Sequence, residues 1–443
     1  MSSLSVLAPY RGRARLAAPE VEGQVTQVLG MLVEGTGRHA AVGDLYRIDT
    51  RNGPILAEVV ALRPGSVVLM PFGHMAGLNV GARMRPEGAA AALPVGDGLL
   101  GRVIDPFGQP LDMRPPPVLT ERRALYADPL KPFERAPVAE RLSLGVRSLD
   151  AFVPCGRGQR LGIFAGPGVG KSVLLGMIAK ATSADVVVLA LVGERGREVG
   201  HFVEQILGER GLAHAVVVVA TSDRPAPERL RAAFAATTIA EHFRDQGKQV
   251  LLFVDSLTRF AMAQREIGLA IGEPPATKGY PPSAFGLLPK LLERAAPSRR
   301  GGSVTGLYTV LIEGDDMTDP VGDAARGLLD GHIVLSRRLA ERGHFPAVDV
   351  LQSLSRVEGE LVGRDEQLFT RRVRSWLSRL EDARDLIAIG AYRPGGDLEL
   401  DTALRRRDDV DAFLRQDIAE SSPLDATRSQ LAQLANLREE PRR

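Results

Sequence analysis

A single cysteine, Cys155, stands in 443 residues, so the chain cannot close a disulfide within itself, and a reducing cytosol suits it. Aromatic residues are scarce at 5%, with one tryptophan, Trp376, which leaves few rings on which bases could stack. Charge of neither sign prevails: 56 Lys+Arg against 54 Asp+Glu leave a formal +2. That balance argues against a dedicated nucleic-acid binder, whose contact face is strongly basic. No apolar run approaches the ~18 residues needed to cross a bilayer. The start, MSSLSVLAPYRGRARLAAPE, puts its basic residues after a short apolar patch, the reverse of a secretory signal. On residues alone, 1–20 read as a frayed arm; the sharper alternative is a basic, partly apolar arm that docks on a partner or an anionic membrane surface. The seven histidines (His39, His74, His201, His214, His242, His332 and His344) lack metal-ligand spacing, so no zinc site is assigned. Internal repeats and low-complexity tracts are also missing.

What is there has the ordinary make-up of a globular protein, 44% hydrophobic and 25% charged, at a length that suits about three domains. From residue 21 to 94, short β-rich runs such as GDLYRID, ILAEVVAL and SVVLMPF alternate with turn signals, as in a small barrel. GRVIDPFGQPLD then reads as strand, turn and exit. Beyond Gly145 come apolar strands separated by helical patterns: RLGIF, DVVVLALV, AVVVVA, QVLLFVD, SVTGLYTVLI and HIVLS. Valine and leucine runs without polar alternation are what strands covered on both faces need, which predicts a mainly parallel sheet between helices over 95–362. From 363 to 443 the strands stop. Leu368, Val373, Trp376, Leu377 and Leu380 recur at helical spacing, a second helix follows the Pro394-Gly395-Gly396 break, and the Arg-rich end is expected to fray.

Three clusters carry chemistry. FAGPGVGKSVLLG places Gly166, Pro167, Gly168, Val169 and Gly170 between a strand and a helix, with Lys171, Ser172 and Val173 opening that helix. Glycines let successive N–H groups turn inward as a nest for phosphate oxygens, and the helix N-terminus adds positive potential there. Lys171 would reach the terminal phosphates and the Ser172 hydroxyl would bind Mg²⁺. Ala165 stands where the P-loop pattern has its first glycine, a position that asks only for an ordinary φ. QVLLFVD ends in Asp255 at the ligand-binding edge of such a sheet, suited to hold Mg²⁺ opposite Ser172. GERGRE puts Glu194 just past the end of a strand, where a carboxylate can orient and polarise water for attack on a γ-phosphate. Arg195 would neutralise phosphate charge, and Glu198 would support the metal's water shell. A solvated charged patch is the plain alternative for that run.

Together these residues resemble the catalytic-subunit superfamily of the rotary ATP synthases, over nearly the whole chain. PAVDVLQSLS is similar to its signature, and the resemblance implies that Arg356, just behind it, projects into the neighbouring subunit's nucleotide site. It also implies that Phe345, where the synthases usually have tyrosine, stacks on adenine, with Phe413 as a second aromatic wall. GDDMTDP resembles the acidic loop that touches a central stalk. Longer strings, GYPPSAFGLLPKLLERA and YTVLIEGDDMTDPVGDAARGLLDGHIVLSRRLAERGHFPAVDVLQSLSRV, are similar to the type III protein-export ATPases, and KSVLL favours the flagellar form over the injectisome form. That resemblance implies an ATP hydrolase in a homohexamer beneath an export gate that handles export substrates and their chaperones. It further implies a stator-like regulator at the N-terminal arm, a coiled-coil stalk protein in the pore, and a cytoplasmic place at the inner membrane of the flagellar base. Rival readings are a rotary ATP synthase catalytic subunit, with the same chemical residues, and a hexameric RNA helicase. The helicase needs an aromatic-lined RNA site, but residues 21–94 hold only Tyr46 and Phe72. A non-hydrolysing subunit of the superfamily would carry an amide in place of Glu194.

Overall fold

The computed structural model describes residues 23–37, 39–87, 92–312 and 319–436. The chain divides into two compact units, 1–91 and 92–443. In the first, strands β1 (Gly23–Leu29), β2 (Leu32–Gly35), β3 (Leu45–Ile48), β4 (Ile55–Arg63), β5 (Ser66–Pro71) and β6 (Arg83–Pro86) form a closed barrel in the order β1-β2-β5-β4-β3-β6. Closure removes free strand edges, and the period-two pairs Tyr46/Ile48, Ala57/Val59 and Val67/Leu69 fill the interior around Met84. A Cβ on Gly35 would stand 2.3 Å from the Met84 sulfur, so that close approach requires glycine.

The second unit opens with β7 (Ala92–Val95), which pairs with β9 (Glu121–Ala124), and β8 (Arg102–Ile104). A short antiparallel pair, β10 (Arg141–Leu142) and β11 (Cys155–Gly156), joined through the helix Arg147–Phe152, holds the single cysteine. Burial pushes the Cys155 thiol well up, which leaves it inert. The main strands are β12 (Arg160–Ala165), β13 (Val186–Val192), β14 (Ala215–Ala220), β15 (Gln249–Asp255), β16 (Ser303–Leu311), β17 (Gly331–Leu335) and β18 (Val348–Ser355). With β8 they make an eight-stranded sheet ordered β18-β17-β12-β16-β15-β13-β14-β8. Every residue of β13 and β14 is buried, as their unbroken apolar composition demands. Neighbours are parallel except β17–β18, where the chain reverses.

The edge strand β8 is fastened by an ion pair. Arg102 donates to both Asp112 oxygens at 2.7 and 3.0 Å, while the backbone N–H groups of Val103 and Arg114 donate to the same carboxylate. These bonds hold the Asp112 carboxyl at about 2, below the ordinary 3.8. A depressed folded-state value contributes stability above the unfolded value that vanishes as pH falls through the folded one, here about 2 kcal/mol. Asp112→Asn is therefore expected to lower the denaturant midpoint at pH 7, read by Trp376 fluorescence, with the gap from wild type closing between about pH 4 and 2. An unchanged midpoint at pH 7 would contradict this.

The helical region, Arg364–Asp382, Arg384–Ala388, Leu398–Leu414 and Leu424–Asn436, shares one core with the sheet: Val373, Trp376, Phe413 and Leu431 join Leu174 and Ile178. Leu368 departs from the expected stripe and is 59% exposed. The helix Leu424–Asn436 turns Leu431, Leu434 and Ala435 onto that core, and the Arg-rich end, 437–443, lies outside the described residues. The N-terminal arm, 1–20, and most of the acidic loop, 313–318, lie outside the described residues.

Candidate functional site

β12 ends at Ala165 and the helix Lys171–Ala181 begins after five residues of loop. Gly168 and Gly170 adopt φ of +79° and +93°, a left-handed backbone that side chains disfavour. A Cβ on Gly168 would meet nothing within 4 Å, so open space lies over the loop. Gly170 precedes the helix without any side-chain cap, which leaves the first N–H groups of that helix for a ligand. Gly166 and Val169 are buried, Pro167 and Ser172 exposed, and Val173 packs partly against the core.

Lys171 crosses to the ends of the neighbouring strands. Its Nζ donates to Asp255 Oδ1 at 2.5 Å and to Glu194 Oε1 at 3.4 Å. Asp255 terminates β15 and is only 3% exposed. Glu194 follows β13 after Gly193, whose φ of +69° turns the chain, and is 8% exposed. Two buried carboxylates thus share one ammonium. Burial raises the Glu194 carboxyl above its usual range, with the Asp255 charge and Glu198 adding to the rise, while Lys171 and Arg259 pull it down.

Two members of this cluster escaped the sequence reading. Thr309 Oγ1 donates to Asp255 Oδ1 at 2.6 Å, and Arg259 Nη2 lies 3.4 Å from Glu194 Oε2. Arg259 stands four residues past Asp255 in DSLTR, one helical turn that could have drawn notice. Thr309 becomes a neighbour only through the pairing of β15 with β16.

The remaining assigned residues divide. Arg195 and Glu198 lie beside Glu194, largely in solvent and 3.6 Å from each other. Phe345 is 47% exposed, and its ring would stand 3.6 Å from a Cβ on Gly170, so it flanks the loop. Phe413 is buried, edge-on to Phe152 with ring centres 6.3 Å apart. Arg356 is not brought to the cluster within one chain. It follows β18, and because β18 runs antiparallel with Ser355 opposite Gly331, Arg356 lies at the amino edge of the sheet, while the loop lies at the carboxyl edge. The length of the strand, about 25 Å, separates the two. There the Arg356 N–H donates to the Asp330 carbonyl at 2.9 Å, and Nη2 donates to the Arg326 carbonyl at 3.0 Å.

Comparison with known proteins gives the arrangement its context. Residues 145–355 match the nucleotide-binding domain of the ATP synthase alpha/beta family, and 362–433 match the T3SS EscN ATPase C-terminal domain. The chain is 50% identical to the flagellum-specific ATP synthase of Treponema pallidum, with 98% of this chain and 97% of the relative covered. It is 49% identical to the protein of the same name from Pseudomonas aeruginosa, over 94% of each. The type 3 secretion system ATPase of Sinorhizobium fredii is 47% identical over 95% of this chain and 94% of its own. Among solved structures, the assembled ATPase EscN of the enteropathogenic E. coli type III secretion system superposes with a TM-score of 0.88 at 45% identity. That match covers 93% of this chain and all of EscN (100%). A nest of N–H groups, a lysine shared by two strand-end carboxylates and likeness along nearly the whole length converge: the chain belongs to the flagellum-specific and type 3 secretion system ATPases, ATP-hydrolysing enzymes on an ATP synthase alpha/beta nucleotide-binding domain.

Proposed function

We propose that this chain energises protein export at the bacterial flagellum by hydrolysing Mg²⁺–ATP at sites completed between neighbouring copies. The observation that carries the reading is the Lys171 ammonium held between Asp255 and Glu194 beneath an uncapped helix start. An incoming triphosphate offers Lys171 a stronger anion, so it exchanges the two carboxylates for β- and γ-oxygens, and the N–H groups from Gly168 to Val173 line the phosphate tail, beside Pro167, which has none to give. The hydroxyl of Ser172 and the carboxylate of Asp255 are hard oxygen donors of the kind Mg²⁺ takes alongside substrate phosphates. Thr309 fixes Asp255 in place for that purpose. The ion, when bound, supplies charge neutralisation on the phosphate oxygens. Glu194 orients a water against the γ-phosphorus and accepts its proton as the P–O bond to ADP breaks, which releases phosphate. Arg259 holds that carboxylate from the far side, Arg195 and Glu198 contribute charge and water contacts at the mouth, and Phe345 offers its ring to adenine.

The amino-edge position of Arg356 supports supply of that residue by the next copy, with its charge stabilising the departing phosphoryl group. A homohexameric ring and a coiled-coil stalk partner fit relatives described as the assembled EscN and as EscN in complex with its central stalk EscO. A stator-like regulator, the export gate, export substrates and their chaperones complete the expected partners, at the cytoplasmic face of the inner membrane. No helix of the described residues is long and apolar enough to cross a membrane. The flagellar assignment over the injectisome one follows KSVLL and the high identities of flagellar relatives. Deleting the gene is expected to abolish flagellar filaments while respiration-driven ATP synthesis continues. Retained filaments with lost ATP synthesis would replace this reading with the synthase.

A further inference from the structure

Between the helices Leu398–Leu414 and Leu424–Asn436 the chain crosses residues 415–423 with neither helix nor strand, so individual contacts must fix its course. One buried amide is central to them. The Arg147 N–H donates to Gln416 Oε1 at 2.8 Å, while Gln416 Nε2 donates to the Gly145 and Glu420 carbonyls, both at 2.9 Å. Only one orientation of the amide satisfies every one of these bonds, which holds the segment in a single place. Arg147, at the start of the helix Arg147–Phe152, grips the same stretch with its side chain. Its Nε donates to the Phe413 carbonyl at 3.0 Å, and its other guanidinium nitrogens reach the Arg415 carbonyl and the Glu420 carboxylate. The Ser422 N–H adds a bond to the Gly145 carbonyl at 3.1 Å.

What this brace holds bears on the nucleotide. The Gln416 backbone N–H donates to the Phe345 carbonyl at 3.0 Å. Phe345 lies in the turn between the helix Arg337–Glu341 and β18, and its half-exposed ring stands beside Gly170, at the head of the phosphate-loop helix. A ring so open to solvent is steadied by its backbone more than by packing, so the segment behind that carbonyl sets where it stands. We propose that Gln416, braced by Arg147 and Glu420, is a positioning residue for the base of the nucleotide: it sets how far the Phe345 ring stands from the phosphate loop. The proposal rests on the reading that Phe345 stacks on adenine. None of the brace belongs to the groups gathered around Lys171. Stacking on the base is the same before and during phosphoryl transfer, so its loss raises KM and leaves kcat.

Steady-state kinetics of the full-length enzyme at ring-forming concentration test this. Gln416→Leu is expected to raise the KM for ATP about 10-fold with kcat within about two-fold, the effect of one or two lost hydrogen bonds passed on to base binding. Glu420→Gln, at an exposed carboxylate, should raise it about 2- to 4-fold. In a Phe345→Ala background both rises should vanish, because the ring that the brace positions is gone; a merely structural brace would add its full effect there. An unchanged KM in Gln416→Leu, a rise that persists in full without the Phe345 ring, or a fall in kcat larger than the rise in KM overturns the proposal. If Gln416→Leu fails to fold, read by Trp376 fluorescence, Glu420→Gln decides by the same criteria. A Phe345→Ala enzyme with the wild-type KM instead removes the adenine reading, and this assignment falls with it.

Discussion

Replacing Arg356 with alanine is expected to cut turnover by about 10³–10⁵, the range for a cation supplied to phosphoryl transfer from a neighbour, or roughly 4–7 kcal/mol of barrier. Nucleotide binding should persist, because Lys171, Ser172 and the loop N–H groups all belong to the other copy's side of the site. The single-chain geometry supports the proposed division. β18 carries Arg356 away from its own phosphate loop, and the anchors at Asp330 and Arg326 keep it at the amino edge. A second readout follows: specific activity should climb with protein concentration as rings form. A flat concentration profile, or a variant with near-normal kcat, would rule out the trans role and leave Arg356 a structural residue.

The other large effect is expected at Glu194. Glu194→Gln preserves shape but cannot accept a proton, so kcat should fall by about 10²–10⁴ while ATP affinity stays within a few-fold. Binding survives because the amide does not disturb the nest, and loss of one carboxylate frees Lys171 for phosphate; equilibrium binding of a fluorescent ATP analogue beside single-turnover hydrolysis checks both. Unchanged hydrolysis would remove the assignment and shift attention to Asp255, the other buried carboxylate on the same ammonium.

How much of this was legible in the sequence depended on whether partners were close along the chain. The phosphate loop, Glu194 and Asp255 each follow a run of buried apolar residues, so position along a strand already placed them at one edge. Thr309 was hidden because nothing local says that β16 lies beside β15; that is a property of strand order. The reversal of β18 was hidden for the same reason, since PAVDVLQSLS reads equally well in either direction. Phe413 is the converse case: its apolar character was plain, but helical spacing does not name its neighbour, which is Phe152.

β18 has a mechanical consequence. Just before its start, Phe345 rests beside the phosphate loop of its own chain, with its carbonyl bonded to the Gln416 N–H. At its finish, Gln159 donates to the Ser355 hydroxyl at 3.0 Å, and Arg356 is anchored to the Asp330 and Arg326 carbonyls. Fastened at both ends and paired along its length with β17, the strand carries a displacement of the Phe345 ring to Arg356 as one piece, without a hinge between them.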